Sequence, residues 1–371
     1  MTLIENATRS PVKSESQLLS VRDLCVEFNS RAGWTPVVEG AAIELMAGGT
    51  HALVGESGSG KTVTALSLLG LLPQPHGRVS RGEIIFEGRD LAQHSESQMR
   101  PLRGREIAMI FQEPMTSLNP AFTVGDQIAE SVRLHLGYSR KAAWERAVEM
   151  VDLVGIPGAR RRVKEYPHSF SGGMRQRVMI AMAIACEPKL LIADEPTTAL
   201  DVTVQAGILQ LLRKIQEQLG MAILLVTHDL GVVADFCDQV TVMYAGEPVE
   251  VASTSELFAS PAHPYTAGLL MALPQRVLPG QELEAIPGVV PRPDQMPSGC
   301  RFRLRCPHML EGVCDGAHPE LVSLGGTQST RCIRVSNGEL GDLVRPLPPQ
   351  ISRSALEPDQ DRFPRESEMQ R

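Results

Sequence analysis

Eight residues, GESGSGKT from Gly55 to Thr62, have the spacing G-x-x-x-x-G-K-[ST] of a phosphate-binding loop. Each residue type in that pattern has a physical task. Gly55, Gly58 and Gly60 let the backbone turn its N–H groups inward around phosphate oxygens, and Glu56, Ser57 and Ser59 supply the amides between them. Lys61 can reach the β- and γ-phosphates of a nucleotide. The Thr62 hydroxyl can ligate Mg2+, and Val63 continues a helix whose positive end faces the anion.

KLLIADEP supplies a second half-site. An apolar run ending in Asp194 places a carboxylate where it can hold the Mg2+ shell, and Glu195, the next residue, can polarise an attacking water as general base. An Asp-Glu pair alone would be an ordinary strand end. Beside a phosphate loop the pair reads as catalytic.

These residues need a scaffold, and the hydrophobic pattern provides one. The runs THALV (50–54), EIIF (83–86), IAMIF (107–111), KLLIAD (189–194) and MAILLVTH (221–228) alternate with helical stretches such as 62–72 and 202–219. Continuous apolar strands between helices predict an α/β fold with a mainly parallel sheet covered on both faces. From about 113 to 170 the strand pattern gives way to amphipathic helices, AFTVGDQIAESVRLHLG and KAAWERAVEMVDLVG, which read as an inserted lobe. After about 253 proline-rich sequence leads into a small cysteine-bearing module, and the end of the chain is charged and nearly free of apolar residues.

The bulk properties narrow the function. The 371 residues are 43% apolar, enough for a substantial core, and the formal charge of −7 argues against general nucleic-acid binding. No run of eighteen apolar residues occurs, and the polar N-terminus has no apolar segment like that of a secretory signal. Seven cysteines in such a chain do not suggest a disulfide framework, so a reducing, cytosolic setting is expected.

With these motifs in place, FSGGMRQR (170–177) resembles the LSGGQ signature of the ATP-binding subunits of ABC transporters, with Phe and Met replacing Leu and Gln. The resemblance implies that Ser171, Gly172 and Gly173 cap the γ-phosphate of ATP held by a partner subunit. Gln112 in IFQEPMTSLNP matches the Q-loop, implying contact with Mg2+ and the attacking water, and Asp201 in TTALD matches the D-loop. His228 in LLVTHD matches the switch histidine. An aromatic stacked on adenine is expected upstream, at Trp34, with Phe28 as its rival. EPMTSLNP (113–120), VMYAGEPVE (242–250), HPYTAGLLMALP (263–274) and IPGVVP (286–291) resemble the dipeptide and oligopeptide importer branch, which also includes nickel-uptake subunits.

The resemblance implies a P-loop ABC ATPase with a RecA-like core, a helical subdomain, an antiparallel β part and a small Cys-rich C-terminal module. It divides the chain into a flexible leader (1–16), a nucleotide-binding domain (17–255, with the helical subdomain at about 113–175), an extension (256–335) and a disordered tail (336–371). It implies ATP and Mg2+ as ligands and a peripheral position on the cytoplasmic face of a bacterial inner membrane. The implied partners are a second ATPase subunit, often a different chain, two membrane permeases and an external substrate-binding protein, with no nucleic acid. A soluble ABC ATPase, such as an iron–sulfur assembly factor, is the rival class.

Cys300, Cys306, Cys314 and Cys332 stand apart from the rest, with intervals of 5, 7 and 17 residues. They lack the paired knuckles usual for zinc, and ferredoxin spacing is tighter. Some members of the importer branch carry a [4Fe–4S] cluster in a similar module, and the resemblance implies one here, with zinc as the alternative. Cys25, Cys186 and Cys237 sit singly near apolar runs and read as core residues.

Overall fold

A buried strand, a glycine-rich loop and a helix follow one another at the centre of the computed structural model, which describes residues 16–30, 33–112, 117–198, 201–273 and 285–341. Two long antiparallel strands, β1 (Gln17–Ser30) and β2 (Gly33–Met46), precede β3 (Thr50–Val54), in which all five residues are buried. The helix Lys61–Leu68 follows, then β4 (Gly77–Phe86) and β5 (Arg89–Asp90), which complete a four-stranded antiparallel sheet in the order β2-β1-β4-β5.

The remaining strands are β6 (Ile107–Ile110), β7 (Leu190–Asp194), β8 (Ala222–Thr227), β9 (Gln239–Tyr244), β10 (Glu247–Ser253), β11 (Val322–Gly325) and β12 (Gln328–Thr330). With β3 they form a second sheet in the order β11-β12-β10-β9-β3-β8-β7-β6. The stretch β9-β3-β8-β7-β6 is parallel, and β10, β12 and β11 are added antiparallel.

The apolar runs are explained by this sheet's two covered faces. On β3, Ala52 and Val54 pack into one core while Leu53 packs into the other; on β7, Leu191 and Ala193 oppose Leu190 and Ile192 in the same way. Neither face meets water, so alternation with polar residues is absent. Each fully buried Leu or Ile contributes about 2 kcal/mol. EIIF (83–86) corrects the sequence reading. It belongs to β4 in the antiparallel sheet, where Glu83 is exposed and Ile84 and Phe86 are buried, the period-two pattern of a strand with one wet face.

The helices expected from 121 onward are Val124–Leu136 and Arg140–Leu153. Thr123 and Ser139 cap them by accepting the N–H groups of Asp126 and Ala142, each at 3.2 Å. Val124, Ile128 and Val132 meet Ala143, Ala147 and Val151 in one core, against which the helix Gly172–Ile184 also packs. Beyond β10, the helices Thr254–Ala259 and Pro264–Met271 lead to the cysteine segment and to β12, which pairs with β10 through Glu250↔Thr330 and Val251↔Ser329. Of the expected leader (1–16) and disordered tail (336–371), residues 1–15 and 342–371 lie outside the described residues, whereas Ser336 ends the helix Ile333–Ser336. Among the described residues no helix is long and apolar enough to cross a membrane.

Candidate functional site

β3 delivers the chain straight into the phosphate loop. A Cβ at Gly55 would lie 2.2 Å from the Met243 carbonyl oxygen, so the close approach of loop to β9 requires glycine there. Gly60, at φ 98°, caps the helix Lys61–Leu68 in a left-handed conformation that a side chain would strain. The Lys61 ammonium is buried and donates to the carbonyl oxygens of Gly55 at 2.8 Å and Glu56 at 3.0 Å. Burial lowers its pKa, against the pull of Glu195, Asp194 and Glu56. The Ser59 hydroxyl is buried without a hydrogen-bond partner among the described residues, which suits a loop built to receive an anion.

β7 and β8 place the acidic half of the site alongside. Asp194 ends β7, 2% exposed, and its Oδ1 accepts the Thr62 hydroxyl at 3.3 Å. Burial raises its pKa, and the Thr62 hydrogen bond opposes the rise. Glu195 turns the chain at φ 44°, a conformation sparsely used by non-glycine residues, and its N–H is held by the Val226 carbonyl at 2.8 Å.

Three side chains from separate segments converge on the Glu195 carboxylate. Gln112 Nε2 donates to it at 3.0 Å, the Thr198 hydroxyl at 2.8 Å, and His228 Nδ1 lies 3.4 Å away. Burial alone would raise the Glu195 pKa, but hydrogen bonds from Thr198 and His228 and the charges of His228 and Lys61 outweigh it, and the net shift is downward. The carboxylate is therefore held ionised, as an acceptor of protons must be. Residues scattered through the sequence thus meet as neighbouring sets: Lys61 on the loop carbonyls, Thr62 on Asp194, and Gln112 and His228 on Glu195.

The other candidates lie around it. Ser171 caps the helix Gly172–Ile184, its hydroxyl accepting the Met174 N–H at 3.4 Å, and both Ser171 and Gly172 are exposed. Asp201 caps the helix Val202–Leu219, accepting the Val204 N–H at 2.9 Å. Trp34 is 38% exposed, with the Arg78 guanidinium 4.0 Å from its ring centre, whereas Phe28 packs against the core.

Cys300, Cys306, Cys314 and Cys332, separated by up to 32 residues of chain, line one small cavity of about 20 Å3 with His263 and Phe302. All are free thiols. Burial pushes Cys300 up to about 12, Cys306 up to about 11, and Cys332 upward as well. Among the described residues no group of three or more His, Cys, Asp or Glu is placed to hold a single metal ion. Cys25, Cys186 and Cys237 are buried apart from this group, as the sequence suggests.

Sequence reasoning missed three residues. Thr198 grips Glu195 from within PTTAL, where Thr three residues after Glu is the only available signal. Arg305 and Tyr265 bond to Glu56 from more than 200 residues away, and no local pattern announces them.

The fold and this site define an ABC ATPase cassette. A profile of the ABC transporter family matches residues 38–198, and one for the oligopeptide/dipeptide transporter C-terminal region matches residues 249–314. The dipeptide transport ATP-binding protein DppD of Bacillus subtilis is 48% identical over 316 residues, 85% of this chain and 94% of that protein. A Brucella melitensis protein assigned by its name to peptide import, as an ATP-binding protein, is 50% identical over 332 residues, 86% of this chain and 98% of its own. Among solved structures, cbiO1 of Clostridium perfringens, part of the ABC transporter complex cbiONQ, superposes with a TM-score of 0.57 at 28% identity, covering 66% of this chain and 92% of its own. The chain belongs to the ATP-binding subunits of ABC transporters, in the branch with the oligopeptide/dipeptide C-terminal region.

Proposed function

We propose that this chain is the ATP-hydrolysing subunit of an importer that drives uptake of dipeptides and oligopeptides. The observation that carries the catalytic part is the convergence of Gln112, Thr198 and His228 on an ionised Glu195 beside a phosphate loop. The peptide part rests on the relatives, whose names assign them to peptide import and dipeptide transport.

Lys61 and the loop amides of Gly55–Thr62 hold the phosphates of ATP, with Val63 behind them. Thr62 and Asp194, already hydrogen-bonded to each other, are the residues that would hold Mg2+, with Gln112 beside them. The ion would neutralise phosphate charge. Glu195 orients the attacking water and takes its proton, and His228 holds the carboxylate in place. Trp34 offers a ring for adenine.

Ser171 and Gly172 open onto solvent at a helix N-terminus with the half-buried Gly173 beside them, where the three would meet the phosphates of ATP bound to a second ATPase subunit, with Asp201 facing the same interface. Closure of the pair on ATP and reopening after hydrolysis would convert binding energy into alternating access. A groove of about 280 Å3 beside Gln112, lined by Leu71, Phe111, Met182 and their neighbours, suits an apolar helix of a permease, and Leu71 and Phe111 are exposed there. The protein would then sit peripherally on the cytoplasmic face of the bacterial inner membrane, with two permeases and an external substrate-binding protein. The domain division expected from the sequence, with its extension from 256 to 335, belongs to the same proposal.

The four cysteines fit a [4Fe–4S] cluster as the staple of the extension. Four free thiols on one cavity form the donor set of such a cluster, with zinc as the alternative occupant. The cluster would supply cross-linking of a segment too small to form its own core.

Reconstitution of the chain with its permeases and binding protein in vesicles tests the whole reading. The expected result is ATP-dependent entry of a radiolabelled dipeptide; entry of nickel with exclusion of peptides would overturn the substrate.

A further inference from the structure

The phosphate loop contains an acidic residue. Glu56 is the second residue of GESGSGKT, and a carboxylate beside a cradle for a triphosphate repels the ligand the cradle is shaped to hold. Something must neutralise it or hold it aside.

The C-terminal extension does both. The Glu56 carboxylate accepts Arg305 Nη1 at 2.9 Å on one oxygen and Nη2 at 3.1 Å on the other, a bidentate pair. The Glu56 backbone N–H donates to the Tyr265 hydroxyl at 3.0 Å. The Arg305 side chain is 6% exposed, its Nε donates to the Pro287 carbonyl at 2.7 Å, and its guanidinium lies 5.7 Å from the Tyr244 ring centre. Tyr265 is fully buried against Tyr244 and Phe302. The fork is therefore fixed in place before any nucleotide arrives. Arg305 also immediately precedes Cys306, and Phe302 lies between Cys300 and Cys306. One seven-residue segment thus supplies two of the four cavity thiols, the aromatic anchor and the guanidinium.

We propose that Arg305 is a positioning residue of the phosphate loop: it neutralises Glu56 and holds it aside, and so makes nucleotide affinity depend on the fold of the four-cysteine segment. The inference rests on the reading of Gly55–Thr62 as the ATP site. Arg305 touches no reacting atom; it acts through Glu56.

The test uses the full-length chain and the fluorescent nucleotide mant-ATP with Mg2+. Arg305→Met leaves the Glu56 charge uncompensated and is expected to raise Kd about tenfold. The double variant R305M/E56Q removes that charge and is expected to bind within about threefold of wild type. A merely structural Arg305 could not be rescued by a change in the loop. The inference is overturned if R305M binds like wild type, or if the double variant is as weak as R305M. If R305M is recovered insoluble, R305Q, which is also uncharged, replaces it in the same cycle. Failure of the wild-type chain to bind mant-ATP would refute the ATP reading itself, a result distinct from either of these.

Discussion

The ATP site and the four-cysteine site follow opposite electrostatic plans. Around Glu195 burial alone would raise the pKa, but the hydrogen bonds of Thr198 and His228 and the charges of His228 and Lys61 lower it. Around Cys300 and Cys306 burial outweighs the backbone hydrogen bonds from Phe302 and His308 and drives the thiols toward their protonated form. The first site is charged and ordered in the bare protein, because β7 and β8 fix its backbone. The second would carry thiolate charge only with a cation among its sulfurs. Under the cluster proposal, preorganisation by a sheet and organisation by a ligand would coexist within one chain, and the two could be broken separately.

The largest expected effect is at the preorganised site. Glu195→Gln should lower the phosphate-release kcat about 10³-fold while leaving mant-ATP affinity and melting temperature close to wild type. Hydrolysis within tenfold of wild type would show that Glu195 is not the base and remove one side of the comparison. Next in size, Cys306→Ser should cost about 3 kcal/mol in urea unfolding and abolish the visible absorbance expected of an iron–sulfur chromophore. A colourless wild-type chain containing zinc would replace the cluster, and unchanged stability would make the cysteines independent of one another.

The smallest effect concerns how the extension is seated. Glu250 is buried in β10, accepts the Ala262 N–H at 2.8 Å and Gln328 Nε2 at 3.1 Å, and has its second oxygen without a partner among the described residues. Burial pushes its pKa from 4.5 up to about 7. The folded chain therefore keeps a proton there that the unfolded chain releases. Stability should be greatest at the acidic end, decline as pH rises from about 4.5 to about 7, and change little further from this group above that, by about 3 kcal/mol in all. Urea unfolding at pH 5 and pH 7.5 measures the difference, and Glu250→Gln should abolish this group's share of it. An unchanged slope in the variant would mean that Glu250 is ionised in the fold.

The geometry of the proposed ATP site was largely legible in the sequence because each motif states a backbone requirement. Gly55 is glycine because the Met243 carbonyl leaves no room for a Cβ, and Lys61 follows Gly60 because a helix starts there. Such constraints are local and leave a fixed spacing. Arg305 and Tyr265 satisfy no local rule; their positions follow from the packing of the extension on the catalytic core, so Glu56 alone gave no hint of its partners. EIIF misled for a related reason, since a short apolar run does not say whether one face or two will be covered. The four cysteines stood out by crowding, but only the fold brought Cys332 to the other three.

The pairing of β12 with β10 has a consequence for handling the protein. Because β12 hydrogen-bonds to β10, the extension closes the flank of the catalytic sheet. A truncated cassette ending near Ser253 would leave β10 as an unprotected edge strand, its backbone N–H and C=O groups open to strands of other molecules. The extension is thus also a guard against self-association. A shortened cassette would need β10 blunted with a lysine or proline to remain monodisperse.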